Sequence, residues 1–176
     1  AAANLIMQIQ TIISRSIDPI QSGVITLGKV NAGVIRNVIA GQTRIEGTIR
    51  GLTQKMILQI DRRLQDVCDG IAHSYNVEVN LELNQGGYWP VENDPKITKN
   101  FISYMKKNPK VNFIETEPKM TGEDFGFLLA KFPGTMFWLG VGDPSSQLHS
   151  STLNPDEKSI QSGIDAIKGF LIDRMG

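Results

Sequence analysis

A chain of 176 residues that carries 18 basic and 18 acidic side chains, with the basic ones scattered, argues against nucleic-acid or anionic-membrane binding through net charge. No apolar run approaches the roughly 20 residues that span a bilayer, and the first residues lack the charged, apolar and small-residue succession of a signal peptide. The single cysteine excludes an internal disulfide and suits a reducing cytoplasm, while the length allows one ordinary domain or two small ones.

The opening "AAANLIMQIQTIISR" places Leu5, Ile6, Ile9, Ile12 and Ile13 on one helical face without a cap before them. A helix that starts this way is expected to be a piece of a longer protein, cut in or just before the helix. After "IDPI" the segment "GVITLGKV" is rich in strand formers. "QTRIEGTIR" then alternates, as a half-solvated strand does. In "LTQKMILQIDRRLQDVCDGIAHSYN" Ile57, Ile60, Leu64, Val67 and Ile71 recur at steps of three and four, with Thr53 as the N-cap. "VEVNLEL" alternates again, with Val77, Val79, Leu81 and Leu83 inward. Helix, strand, strand, helix, strand is a ferredoxin-like βαββαβ unit whose first strand is missing. Its strands are expected near 23–31, 41–50 and 76–84, antiparallel, with both helices on one face.

At "NQGGYWPVENDP" the texture turns to glycine, proline and polar residues, which puts a domain boundary near 84–88. Beyond it come a helix with Ile97, Phe101 and Tyr104 or Met105 inward, a short strand "VNFIE", and the loop "TEPKMTG". A helix over about 123–131 and the buried strand "TMFWLGV" follow. The final helix is expected to take Asn154 as its cap and Pro155 as its first residue, with Ile160, Ile164, Ile167 and Leu171 packed inward. The fold class is therefore α+β: an incomplete ferredoxin-like domain over residues 1–86, then part of an α/β layer structure over 87–176.

The chain has no glycine-rich phosphate loop, no nucleophile elbow and no paired-cysteine zinc spacing. What stands out is His149 in a loop after the apolar strand, the pair Glu123 and Asp124 where a helix starts, and Asn37 and Arg50 at the ends of strands. Each also has a plain reading. An acidic pair complements a helix dipole, Asn37 suits a turn, Arg50 is a solvated charge, and His149 is a surface loop residue. His73 reads as structural and Cys68 as a small core hydrophobe.

The segments "GKVNAGVIRNVIAGQTRIEGTIRGL", "TGEDFGFLLAKFPGTMFWLGVG" and "LHSSTLNPDEKSI" resemble, in that order, the aminoacylase-like metallo-amidohydrolases, which include aminoacylases and hippurate hydrolases. The resemblance implies a catalytic α/β domain with a two-metal site and an inserted ferredoxin-like lid that contacts substrate and pairs with a partner lid. It also implies hydrolysis of an N-acyl, here N-acetyl, amino acid by a cytoplasmic homodimer, with two divalent ions of zinc, manganese or cobalt in the complete enzyme.

Carried over position by position, the resemblance makes His149 a metal ligand. Asn37, Arg50, Thr121 and Gly122 become substrate contacts, and Glu123 and Asp124 become residues that orient the loop around the site. Arginine suits a carboxylate because its planar fork donates two parallel hydrogen bonds. Two departures accompany it. The other metal ligands and the general-base glutamate belong to the half of the family pattern that is not in this chain, so the chain alone is expected to be inactive and metal-free. Ala40 stands where the family has proline after Asn-Val-Ile. A non-enzymatic dimerisation or binding module, or another family enzyme such as a dipeptidase, is the competing reading.

Overall fold

The computed structural model describes residues 1–84, 88–120, 122–142 and 148–175, and among them it is a mixture of helices and short antiparallel sheets. It divides into two compact units, one of Ala1–Glu92 with Pro118–Ala130, the other of Asn93–Glu117 with Lys131–Gly176.

In the first unit, α1 (Ala2–Thr11) runs into a π-helical turn (Ile12–Ser16), and β1 (Gly23–Ala32) and β2 (Thr43–Gly51) form an antiparallel hairpin. Ile25 lies opposite Ile49 in the ladder, and both pack with Leu27 onto a core of Ile9, Ile12, Ile17, Met56, Ile60 and Leu64. The helices therefore bury the inward set of an alternating hairpin, as period two requires. The ladder shifts register between Leu27 and Lys29, with Gly28 as the extra residue. Gly47 has to be glycine, because a Cβ there would strike the Thr26 carbonyl oxygen across the ladder.

Helix α2 (Gln54–Tyr75) begins and ends where local chemistry dictates. Met56 N–H donates to Thr53 Oγ1 at 3.2 Å, and Asn76 closes the helix in the left-handed region at φ 50. Ile57, Ile60, Leu64 and Ile71 are buried along it, with Val67 packed at the edge of the core and Cys68 buried as well.

The segment 77–84 departs from expectation: it carries no ladder, and the sheet beside it has two strands rather than three among the described residues. Leu81 still packs on the core, but Val77 and Leu83 are exposed. An alternating pattern chooses an inward face, yet a strand also needs ladder hydrogen bonds to a neighbour's backbone, and 77–84 forms no ladder with the described strands. The same unit holds β3 (Trp89–Pro90), β4 (Gly122–Glu123) and the short α4 (Phe125–Leu129). The expected helix over 123–131 is thus shorter, because Glu123 is spent in the β4 ladder.

In the second unit, α3 (Pro95–Met105) is capped by Asp94, whose Oδ1 accepts from Ile97 N–H at 2.8 Å, and Phe101 and Met105 are buried as its spacing predicts. Helix α5 (Lys158–Met175) differs from the sequence reading at both levels. It starts past Asn154 and Pro155, where Asp156 Oδ1 accepts from Lys158 N–H at 2.9 Å. Its packed face is Gly163, Ala166 and Phe170, while Ile160, Ile164, Ile167 and Leu171 are 63%, 48%, 51% and 51% exposed. Small residues explain the choice: Tyr104 of α3 lies where a Cβ on Gly169 would be, and Leu139 fits against Gly163. That closeness lets Phe170 meet Phe101 edge-on at 5.1 Å.

The segment "TMFWLGV" also forms no ladder among the described residues. Phe137 stacks on Phe101 at 5.0 Å, but Trp138 and Leu139 remain 49% and 41% exposed, so the segment is buried on one side rather than two. "VNFIE" repeats this, with Val111 and Phe113 on the core and Ile114 outward.

Candidate functional site

His149 lies in a loop pinched at its base, where Asp156 N–H donates to the Val141 carbonyl at 2.8 Å. Gly142, at φ 81, makes the turn out of that base, and Asp156 Cβ sits 3.2 Å from where its own Cβ would be. Asp156 therefore closes the loop and caps α5 together, a pairing that only its place just before a helix hints at in sequence.

His149 itself is exposed and adopts φ 69, the left-handed region that costs a non-glycine residue about 1 kcal/mol. After it, Leu153 N–H returns to the Ser150 carbonyl at 3.2 Å and Ser150 Oγ meets Thr152 Oγ1 at 2.8 Å. Local hydrogen bonds thus hold the backbone that follows, whereas the imidazole makes none among the described residues.

The remaining residues singled out lie in the first unit. Asn37 occupies the third position of a turn in which Val38 N–H donates to the Ile35 carbonyl at 3.3 Å, at the exposed end of the hairpin. Gly33, at φ 69, starts this connection with Ala40 3.4 Å from its missing Cβ. Around Asn37 the connection is apolar and bare: Val34, Ile35, Val38 and Ile39 are at least 60% exposed.

Arg50 pairs with Val24 near the opposite end of β2 and faces solvent, away from the helices that cover Ile49. It stands seven residues from Thr43, about 23 Å along the strand. No hydrogen bond joins it to Asn37.

Gly122 pairs with Pro90 and Glu123 with Trp89. Tyr88 Cβ lies 3.0 Å from where a Cβ on Gly122 would be, so the glycine lets that side chain close over the backbone. Asp124 stands at the N-cap of α4 without accepting a side-chain hydrogen bond. Its carbonyl accepts from Phe127 N–H at 3.0 Å, and Phe127 stacks on Trp89 at 5.7 Å. The helix-dipole reading therefore applies to Asp124 and not to Glu123. Thr121 lies outside the described residues.

Three residues that frame these segments carried no functional signal in sequence. Glu92 Oε2 accepts from Gln54 N–H at 3.0 Å at the start of α2. Asn93 brackets the Met136 peptide, with Nδ2 donating to its carbonyl at 2.9 Å and Oδ1 accepting from its N–H at 2.8 Å. Asp94 caps α3. Only Asp94, set before Pro95, has a readable signature.

Among the described residues, no three histidine, cysteine, aspartate or glutamate side chains gather closely enough to hold a metal ion. Among the described residues no helix is long and apolar enough to cross a membrane.

The model of peptidase family M20/M25/M40 matches residues 8–173, nearly the whole chain. The chain belongs to this family. A relative among the M20 proteins, the N-acetyldiaminopimelate deacetylase of Lactobacillus acidophilus, is 99% identical over 176 residues, which make up all of this chain and 46% of that protein. The chain thus spans about half the length of the curated relatives it matches. Among solved structures, a candidate aminohydrolase of methicillin-resistant Staphylococcus aureus shares the fold with a TM-score of 0.86 and 26% identity, covering 98% of this chain and 45% of that one. The Bacillus subtilis YXEP protein, a dinuclear metal-binding peptidase of the M20 family, matches with a TM-score of 0.73 and 21% identity over 96% of this chain and 43% of its own.

Proposed function

We propose that this chain serves as part of a metal-dependent amide hydrolase that removes the acetyl group from N-acetyldiaminopimelate. The observation that carries this reading is 99% identity over all 176 residues to a deacetylase of that name. Metal dependence is supported by the family and by the dinuclear metal binding of the Bacillus subtilis protein. Zinc, manganese and cobalt all accept the donor set that histidines and carboxylates supply.

This chain's own described residues do not make a metal site. Within the reading, His149 is one donor to a centre completed by the rest of the longer protein. A strained backbone and an imidazole without hydrogen bonds among the described residues favour ligation over a packing role. Asn37 and Arg50 then bind the polar ends of the substrate, Arg50 through a carboxylate. Gly122 lines its path, with Glu123 and Asp124 holding the Gly122 backbone in place through the β3–β4 ladder and the start of α4, and Thr121, outside the described residues, contacts the substrate beside it. Residues 1–86 act as the ferredoxin-like lid through which two copies pair, and 87–176 belong to the catalytic domain, in a cytoplasmic enzyme.

The test is His149→Ala at the matching position of the full-length Lactobacillus acidophilus relative, with metal content, turnover and circular dichroism measured together. Loss of bound metal and of nearly all deacetylation, with the fold kept, is the expected result. Unchanged metal content and turnover would rule out ligation by this residue.

A further inference from the structure

The β1–β2 hairpin has one face under the helices and one open face. Ile25, Leu27 and Ile49 turn onto the core. Period two then sends Arg50, Thr48, Glu46 and Arg44 of β2 to the opposite face, where Val24 and Thr26 of β1 stand beside Arg50 and Thr48. The register shift at Gly28 extends this row. Counted straight on from the inward Leu27, Lys29 would point at the helices. With Gly28 as the extra residue, Lys29 instead stands opposite Glu46 among the polar side chains. Bulges that re-aim a side chain in this way are over-represented next to active sites.

Lys29, Arg44 and Glu46 make a three-membered charged group on the open face, with side chains 62%, 73% and 41% exposed. Lys29 Nζ lies 3.2 Å and Arg44 Nε 3.1 Å from one carboxylate oxygen, Glu46 Oε1. Both ion pairs close on that oxygen, which leaves Oε2 to accept from a further donor and the two terminal guanidinium nitrogens to donate to a further acceptor. The hydrogen bond and charge of Lys29, followed by the charge of Arg44, hold the Glu46 carboxyl below its usual range. Exposed pairs of this kind add little to stability, so the fold does not need them. An anion beside a guanidinium fork is the complement of a free amino-acid head, whose ammonium needs an acceptor and whose carboxylate needs paired donors.

The spacing matches as well. Glu46 and Arg50 stand four residues apart on one face of β2, roughly 13 Å. Diaminopimelate is a seven-carbon chain with an amine and a carboxylate at each end, and its carboxyl carbons lie roughly 7.5 Å apart when it is extended. One hydrogen bond of about 2.9 Å at either end brings the span to roughly 13 Å.

We infer that Glu46, Arg44 and Lys29 form the subsite for the free amino-acid end of the substrate. Glu46 takes its ammonium and Arg44 with Lys29 its carboxylate, while Arg50 holds the carboxylate beside the acetylated amine. The inference rests on the proposed deacetylation and adds to it what selects diaminopimelate among N-acetyl amino acids. A substrate without the second head leaves these charges without the partners they are set to bind, and a polar site rejects such an analogue strongly.

The test uses the full-length Lactobacillus acidophilus relative and three substrates: N-acetyldiaminopimelate, N-acetyl-α-aminopimelate, which lacks the distal amine, and α-N-acetyllysine, which lacks the distal carboxylate. Glu46→Gln at the matching position should cut the kcat/KM preference for N-acetyldiaminopimelate over N-acetyl-α-aminopimelate by about 10–100-fold, the worth of a hydrogen bond to a charged group. Lys29→Gln with Arg44→Gln should cut the preference over α-N-acetyllysine by a similar factor. Preferences that both variants leave unchanged would overturn the inference while the proposed deacetylation stands. So would an equal loss on all three substrates, which would make the charged group a structural one, or a parent protein that shows no preference. A parent that does not turn over N-acetyldiaminopimelate at all would overturn the proposed deacetylation, and the inference with it.

Discussion

Replacing Gly126 by alanine should loosen the segment that carries Gly122, Glu123 and Asp124 without removing any polar group. A Cβ at 126 would lie 2.7 Å from the Trp89 carbonyl carbon and 2.9 Å from the Pro90 oxygen, with the Trp89 oxygen closer still. All three are backbone atoms, so no side chain can swing away. To restore ordinary contact near 3.5 Å, α4 would have to retreat by about 1 Å from β3. That displacement pulls on the ladder in which Trp89 opposes Glu123 and Pro90 opposes Gly122, and it parts the Trp89–Phe127 stack. Overpacking of this kind costs about 1–3 kcal/mol, and the weakened ladder adds to it, so about 2–3 kcal/mol is expected.

Trp89 and Trp138 are the two tryptophans, so a Trp138→Phe background leaves Trp89 as a fluorescent reporter beside the perturbation. With a urea m-value of about 1–2 kcal/mol/M, the Trp89 transition should move down by more than about 1 M. Gly140→Ala is the control. A Cβ there meets nothing within 4 Å, so the change should stay within about 0.5 kcal/mol of the parent. A Gly126→Ala midpoint within about 0.3 M of that control would refute the steric argument.

His149→Gly should raise the stability of this chain by about 0.5–1 kcal/mol, because glycine relieves the positive φ while no hydrogen bond or buried surface is lost. Urea unfolding followed by Trp138 checks it; a lower midpoint would mean that the imidazole holds the loop. The same change in the longer relative should abolish hydrolysis, so the two readouts move in opposite directions. Asp61 gives a pH-dependent case. Its Oδ1 is buried without a hydrogen-bond partner among the described residues, and burial raises its carboxyl above the usual range. An acid whose folded pKa lies above its unfolded one is the better proton binder when folded, so its ionisation erodes stability as pH rises from the unfolded to the folded value. Asp61→Asn should therefore raise the denaturation midpoint at pH 7 and leave it unchanged at about pH 3, where both forms are neutral. Equal effects at the two pH values would remove ionisation as the cause.

Where structure follows from neighbours within a few residues, the sequence alone was sufficient. Thr53 lies three residues before the N–H it caps, and Ile57, Ile60, Leu64 and Ile71 fall on one side of α2 because a helix repeats every 3.6 residues. The β1–β2 hairpin is legible for the same reason, since alternation marks its inner face and the two strands are joined by a single connection. The residues singled out for chemistry were chosen by type and motif alone, and the structure adds only that His149 sits at φ 69 with no imidazole hydrogen bond among the described residues.

Partners distant in the chain were the business of tertiary structure. Segments 77–84 and 135–141 carry strand-like patterns, but a ladder is made with another backbone, and these segments form none among the described residues. On α5 the pattern is apolar over two adjoining faces, so periodicity cannot say which one packs. Gly163, Gly169 and Phe170 decide it, because only the face with missing side chains lets Tyr104 and Phe101 of α3 approach, and that close approach turns Ile160, Ile164, Ile167 and Leu171 outward.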